Sequence, residues 1–237
     1  MNVDIPTITG FSNAMQNIGK MSNKGLEITL NGVPFRSKDF SWDATANISV
    51  NRNEVLALGP TGDPIFSDGG AGTSHITMIG EPIGSFYGYK MIGIFKTQAE
   101  LDAYPHFADT HVGDVMFEDV NGDKKIDADD RTIIGNNMPD FTWGMTNTFT
   151  FKNFDASLSL QGVVGSEVLH LGRRFYTQGE GNQNQLTEMM GRWQSEANPG
   201  NGKIPRANAQ PTGQNNVLSS RWVENGSFFR INNLTIG

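Results

Sequence analysis

The run Asp119 to Asp130, DVNGDKKIDADD, is the one segment whose residue types and spacing point to a definite chemistry. Side-chain oxygens stand at loop positions 1, 3, 5, 9 and 12, namely Asp119, Asn121, Asp123, Asp127 and Asp130. Position 7, Lys125, offers its backbone carbonyl, and Ile126 is the apolar residue such loops carry at position 8. A hard cation such as Ca²⁺ takes 6–8 oxygen ligands, and alternate residues of a tight loop converge to supply them. Two residues depart from the pattern. Lys124 replaces the glycine usual at position 6, and Asp130 is shorter than the usual bidentate Glu. The expectation is a lone structural Ca²⁺ loop that stiffens its surroundings; the alternative is a solvated turn closed by Asx hydrogen bonds.

Catalytic chemistry has little to stand on. His75, His106, His111 and His170 fall in no zinc-ligand spacing, and neither a GxSxG elbow nor a Walker motif is present. His106 and His111 lie near Asp109 and Asp114, which a polar loop explains. Paired carboxylates such as Asp129 and Asp130 belong to the acidic run. Tyr176, Trp193 and Trp222 offer rings that could stack on sugars or anchor loop packing, and Arg173 and Arg174 are read as a solvated pair. The chain is read as a non-enzyme.

The elements that must carry these residues are strands. In Phe40 to Val50, FSWDATANISV, apolar and polar residues alternate over eleven positions. Period two makes a strand with one apolar and one polar face. A bilayer-crossing strand needs about 9–11 residues, whereas soluble strands average about 5–6. Lys24 to Asn31 alternates in the same way just upstream, and Gly32, Pro34, Ser37 and Asp39 between the two supply turn chemistry, so a hairpin is expected. A second hairpin joins Phe141–Phe151 to Phe154–Gln161 through Lys152-Asn153, with Asn147 the polar exception on the apolar face. Further strand candidates are Ser85–Phe95 and Phe228–Ile236. Phe35, Phe40, Trp42, Phe149, Phe151 and Phe154 flank the short turns, and Phe141 and Trp143 mark the opposite strand end, as the two aromatic girdles of an outer-membrane barrel do. Long polar stretches follow Val50, Phe95 and Gln161, so short turns and long loops alternate. The Gly-, Asn-, Gln- and Ser-rich stretch from Val163 to Asn225 is placed outside.

Composition agrees. The 237 residues include 28 Gly and 15 Phe, only 18% are charged, and net charge is −7. Nothing in that balance holds nucleic acid or anionic lipid. Absence of cysteine removes disulfides and thiolate sites. No apolar run spans a bilayer as a helix, which leaves strand-built spans open.

The ordered set of short segments resembles the SusC/RagA-like family of TonB-dependent outer-membrane receptors. The segments are Asn17-Ile18-Gly19, Asn23-Lys24-Gly25-Leu26-Glu27, Phe40-Ser41-Trp42, Asn51-Arg52-Asn53-Glu54-Val55, Gly84-Ser85-Phe86-Tyr87-Gly88-Tyr89 and Gly93-Ile94-Phe95. Gly113-Asp114 to Gly135-Asn136, Pro139-Asp140-Phe141 and Arg221 to Ile231 complete it. This resemblance implies a 22-stranded barrel with an N-terminal plug. Residues 1–237 are then expected to be an all-β, antiparallel transmembrane β-barrel fragment with long extracellular loops, without the plug and the closing strands. Residues 96–140 form a long loop holding the acidic motif. The resemblance also implies the outer membrane as location, with lipid around the wall. It implies a SusD-like surface lipoprotein as partner, TonB engaged through the missing N-terminal part, and import of glycans or other oligomeric nutrients.

A secreted, calcium-stabilised carbohydrate-binding β-sandwich is the alternative, and a glycoside hydrolase fragment, which would need two carboxylates across a cleft, is a third. The apolar strand faces discriminate. In a barrel wall they meet lipid, and in a sandwich they bury each other.

Overall fold

The computed structural model describes the backbone of residues 2–4 and 13–15, and the full residues 19–70, 72–210 and 214–237; Asn17 and Ile18 of the family-like pattern lie outside them. Among the described residues the strands run in chain order as β1 (Asn2–Asp4), β2 (Asn13–Met15), β3 (Lys20–Arg36), β4 (Phe40–Ala57), β5 (Ile65–Asp68), β6 (Thr73–Thr77), β7 (Ser85–Tyr89), β8 (Met91–Ile94), β9 (Val115–Phe117), β10 (Arg131–Gly135), β11 (Phe141–Phe151), β12 (Phe154–Val164), β13 (Glu167–Leu169), β14 (Val223–Asn225) and β15 (Phe228–Ile236). Two short helices, α1 (Gln98–Ala103) and α2 (Arg173–Thr177), interrupt the loops.

The long strands make one antiparallel sheet in the order β15-β12-β11-β4-β3. Both expected hairpins are present, and β3 and β4, with 17 and 18 residues, are longer than the alternation alone indicates. At about 3.3 Å per residue they extend roughly 55–60 Å, more than the hydrocarbon thickness of a bilayer. Lys152 turns the second hairpin with φ 55, a left-handed conformation costly for a residue with a Cβ.

Register decides what the alternation achieves. Leu26, Ile28 and Leu30 stand beside Val50, Ile48 and Ala46. Ile48, Ala46 and Trp42 stand beside Trp143, Met145 and Phe149. Met145, Asn147 and Phe151 face Leu160, Leu158 and Phe154, and Leu160 and Leu158 face Ile231 and Leu234. Paired residues share a face, so the apolar positions of five strands merge into one continuous surface. The other face carries Glu27, Thr29, Asn47, Thr45, Asp43, Thr146, Thr148, Ser157 and Ser159, with Thr45 donating to Asn31 at 2.8 Å and Ser49 to Glu27 at 3.2 Å.

Among the described residues nothing covers the apolar surface. Leu26, Leu30, Phe154, Phe229, Leu234 and Ile236 are 61% to 75% exposed. The core lies elsewhere, around Val115, Phe117 and Ile126 with Tyr89, Met91, Phe107 and Val217 packed on it. The apolar sides of two sheets are therefore not buried against each other, as the sandwich alternative requires. The edge strands β3 and β15 present unpaired outer sides among the described residues, so the wall is an open segment of a barrel.

The two long connections, 58–140 and 165–227, fold together at one end of the wall. The first contains the sheet β10-β7-β6-β5, the pair β8-β9 and α1; of these α1, β9 and β10, with the acidic run, lie within residues 96–140. The expected strand Ser85–Phe95 is split at Lys90 into β7 and β8, which join different sheets because Tyr89 N donates to Leu218 O (2.9 Å) and Met91 N to Ser220 Oγ (2.9 Å).

Candidate functional site

Three arrangements have the residues for function: the wall's apolar face, the acidic loop, and a cleft where the two insertions meet.

On the wall, aromatic rings gather at both ends of the apolar face. Phe40 lies 5.8 Å from Phe35 and 6.4 Å from Phe149, and Trp42 stacks on Phe149 at 5.9 Å. At the other end Trp143 crosses Gly162 to stack on Phe229 at 5.9 Å. A Cβ on Gly162 would collide with the Trp143 ring, so this glycine makes the room for the stack. Trp143 and Phe149 are six residues apart on one strand. At about 3.3 Å per residue this separation is about 20 Å, close to the band between the girdles of an outer-membrane barrel, which is about 25 Å tall. Asn147, polar within this face, is buried and accepts a hydrogen bond from Trp42 Nε1 at 3.0 Å. The pair satisfies two polar groups that hydrocarbon would otherwise leave bare.

The acidic loop closes on itself. Asp119 accepts from Gly122 N (2.8 Å) and Lys124 N (2.9 Å), Asn121 from Asp123 N (2.9 Å), and Asp123 from Lys125 N (2.9 Å). Asp127 accepts from Asp129 N (2.9 Å). Asp130 is fully buried and accepts from Val120 N (2.9 Å) and Asp127 N (2.8 Å). Lys124 takes φ 67, the left-handed turn that glycine usually supplies at that loop position, so its side chain does not prevent the path. Ile126 plugs into the core of the insertions. The loop thus fits a Ca²⁺ in its backbone course. Its donor set is not gathered: among the described residues no three His, Cys, Asp or Glu side chains form a metal-holding group.

Between the insertions the decisive residue is Asp114, which sequence reading treated only as part of a polar loop. It is fully buried and accepts from Arg206 Nε at 2.7 Å, Asn215 Nδ2 at 2.8 Å and His111 N at 2.9 Å. Asn215 in turn accepts from Val115 N at 2.9 Å. Arg206 and Asn215 lie about a hundred residues away in sequence, so no local pattern pointed to them. Gly113 has φ 92 and packs against the Trp193 ring, leaving no space for a side chain.

Arg173 and Arg174 are not a solvated pair. Arg173 bridges Glu188 and Glu224 at 2.6 Å each, and Arg174 binds the Asn216 side chain and carbonyl. The bonds to Glu224 and Glu188 raise the Arg173 pKa against the opposing effect of burial. Arg221 lies over the Trp222 ring at 4.5 Å and donates to the carbonyls of Asn215 and Thr177. Burial, then the charge of Arg173, lower its pKa to about 10. Trp222 is fully buried and Trp193 donates to Lys96 O at 3.1 Å, so both rings anchor loops; Tyr176 alone of the three expected platforms keeps a largely open ring. A cleft of about 750 Å³ runs between β8, α2 and residues 201–204, with Arg221 and Trp222 at its floor.

No family model matches the chain. Among curated proteins it is similar to "TonB-dependent receptor P3" of Formosa agariphila, 35% identical over 239 residues that span 98% of this chain and 23% of that protein. It is also similar to "TonB-dependent receptor SusC" of Bacteroides thetaiotaomicron, 30% identical over all of this chain and 22% of that protein. Among solved structures it resembles the RagAB peptide importer in its open-open state, with TM-score 0.77, 25% identity, and coverage of 100% of this chain and 24% of the other. The chain therefore spans about a quarter of the length of the relatives it matches.

Proposed function

From the premise that the chain belongs, as a segment of the barrel, to the SusC/RagA-like TonB-dependent receptors, we propose that it forms part of an outer-membrane wall and its external loops in a receptor that imports oligomeric nutrients, glycans foremost. One observation carries this reading: five strands in register expose a single uncovered apolar face with aromatic rings at both ends and a polar face behind it. Such a wall separates hydrocarbon from a wet lumen. The partner proposed outside is a SusD-like lipoprotein, and the energy source proposed is TonB engaging a part of the receptor beyond these residues. The names TonB-dependent receptor and SusC of the relatives and the RagAB peptide importer among the structural neighbours support this reading.

The test is uptake by the full-length receptor in its own cells. Deleting the receptor, or TonB, is expected to abolish growth on one class of oligosaccharide while growth on its monomers continues. Affinity purification of the receptor from outer membranes is expected to retain one surface lipoprotein. Undiminished oligosaccharide uptake in both deletions would overturn the reading, and growth lost only on peptides would move the substrate to the class taken by the RagAB peptide importer.

The acidic loop is proposed as a structural Ca²⁺ loop. Its backbone course and alternate oxygens support this, and the bound ion would draw Asp119, Asn121, Asp123, Asp127, Asp130 and the Lys125 carbonyl inward. Extracellular sites of this kind bind at about 10⁻⁴–10⁻³ M.

A further inference from the structure

Arg221 is a cation held in the interior of the insertions, where the charges of Glu180 and Glu188 act on it without a direct ion pair among the described residues. Its guanidinium is bonded to two backbone carbonyls and a ring face, and no carboxylate forms an ion pair with it among the described residues. Holding a charge away from water is costly unless an opposite charge compensates it. The neighbouring Arg173 adds a second positive charge, although its own two carboxylates offset it. Loss of water and repulsion from Arg173 disfavour the charged form of Arg221, and the charges of Glu180 and Glu188 offset them only in part.

Three cations line the cleft. Lys203 stands at its rim, with no ion pair among the described residues, and Arg173 and Arg221 line it further in. Among the described residues Glu188 is the one carboxylate lining it, and Arg173 already engages it at 2.6 Å. Met91, Ile92 and Ile204 give the cleft an apolar side. At about 750 Å³ it falls within the range of small-ligand sites, which is about 300–1,000 Å³.

We propose that this cleft is a subsite for an anionic group, a carboxylate or sulfate carried by the imported oligomer, held by Lys203 and the field of Arg221 with the oligomer's apolar side against Met91, Ile92 and Ile204. The proposal rests on the import reading and narrows it to oligomers bearing negative charge. Arg221 positions the field and Lys203 contacts the ligand, so Lys203 is the residue to change without disturbing the fold.

The experiment uses the full-length receptor in detergent and measures Kd by calorimetry at low and high salt. The probes are an oligogalacturonate, a sulfated oligosaccharide and an acidic peptide of matched length, each beside its neutral counterpart. At least one acidic probe is expected to bind at least tenfold tighter than its neutral counterpart, and to lose that margin in high salt. Lys203→Glu should weaken that probe tenfold or more while leaving the neutral counterpart unchanged, and Lys203→Arg should restore most of the binding. Which probe responds distinguishes uronate, sulfate and peptide carboxylate as the source of the anion. Equal affinity for acidic and neutral probes, or an acidic affinity indifferent to Lys203→Glu, overturns the subsite. A receptor that still supports growth on its oligomer in that case leaves the import reading standing and removes this inference alone.

Discussion

At the scale of single residues, two buried polar contacts hold positions that alternation alone leaves unexplained. Asp114 ties the two insertions together through Arg206 and Asn215. Removing one partner of a buried ion pair costs about 3–5 kcal/mol because the remaining charge is stranded. Asp114→Ala in the full-length receptor should therefore expose the loops to proteolysis while leaving the wall's heat-stable β signal in place; unchanged cleavage kinetics would contradict the keystone role. Asn147 is the second case. Its bond to Trp42 is expected to contribute about 1 kcal/mol. Asn147→Leu should lower unfolding stability in micelles by about that amount, whereas the double change with Trp42→Phe should recover most of it, since both polar partners are then gone. Additive losses in that cycle would mean the two side chains do not act as a pair.

At the scale of elements, the five-stranded sheet makes a claim about sidedness. An arginine on the lipid-facing side of a barrel strand costs about 2–4 kcal/mol near the bilayer midplane. Met145→Arg and Leu158→Arg are thus expected to impair refolding into bilayers by about that margin, and Thr146→Arg and Ser157→Arg, one residue away on the polar face, are expected to be tolerated. Equal penalties on both faces would remove the basis for the membrane assignment. The acidic loop is a smaller element with a simpler test. Millimolar Ca²⁺ is expected to raise the receptor's Tm over that in chelator by a few degrees, and Asp123→Ala with Asp127→Ala should abolish the difference. A Tm indifferent to Ca²⁺ would leave the loop's own hydrogen bonds as the whole explanation of its shape.

At the scale of the molecule, the segment divides into a thin wall with no core and a module with one. The wall's large side chains remain exposed, and its two edge strands lack outer neighbours among the described residues. Unpaired edges and uncovered apolar surface promote association in water. Residues 1–237 expressed alone should therefore aggregate without detergent. A soluble, monodisperse species with these strands formed would argue against the barrel wall.

The alternating residues of 24–31, 40–50 and 141–161 by themselves determined the long hairpins, their turns and which face is apolar, because side-chain direction in a strand follows sequence parity. The acidic spacing determined the course of its loop, since Asx oxygens reach backbone N–H groups two residues on. Tertiary structure alone decided three things. It aligned five separate apolar stripes into one surface, which depends on register between strands up to about a hundred residues apart. It split 85–95 into two strands, because residues 218–220 supply competing hydrogen-bond partners. It also turned Asp114 from an apparent loop charge into an interior one and tied Arg173, read as solvated, to two carboxylates, since burial and pairing of a charge are set by what folds against it from distant sequence and leave no periodic mark on the chain.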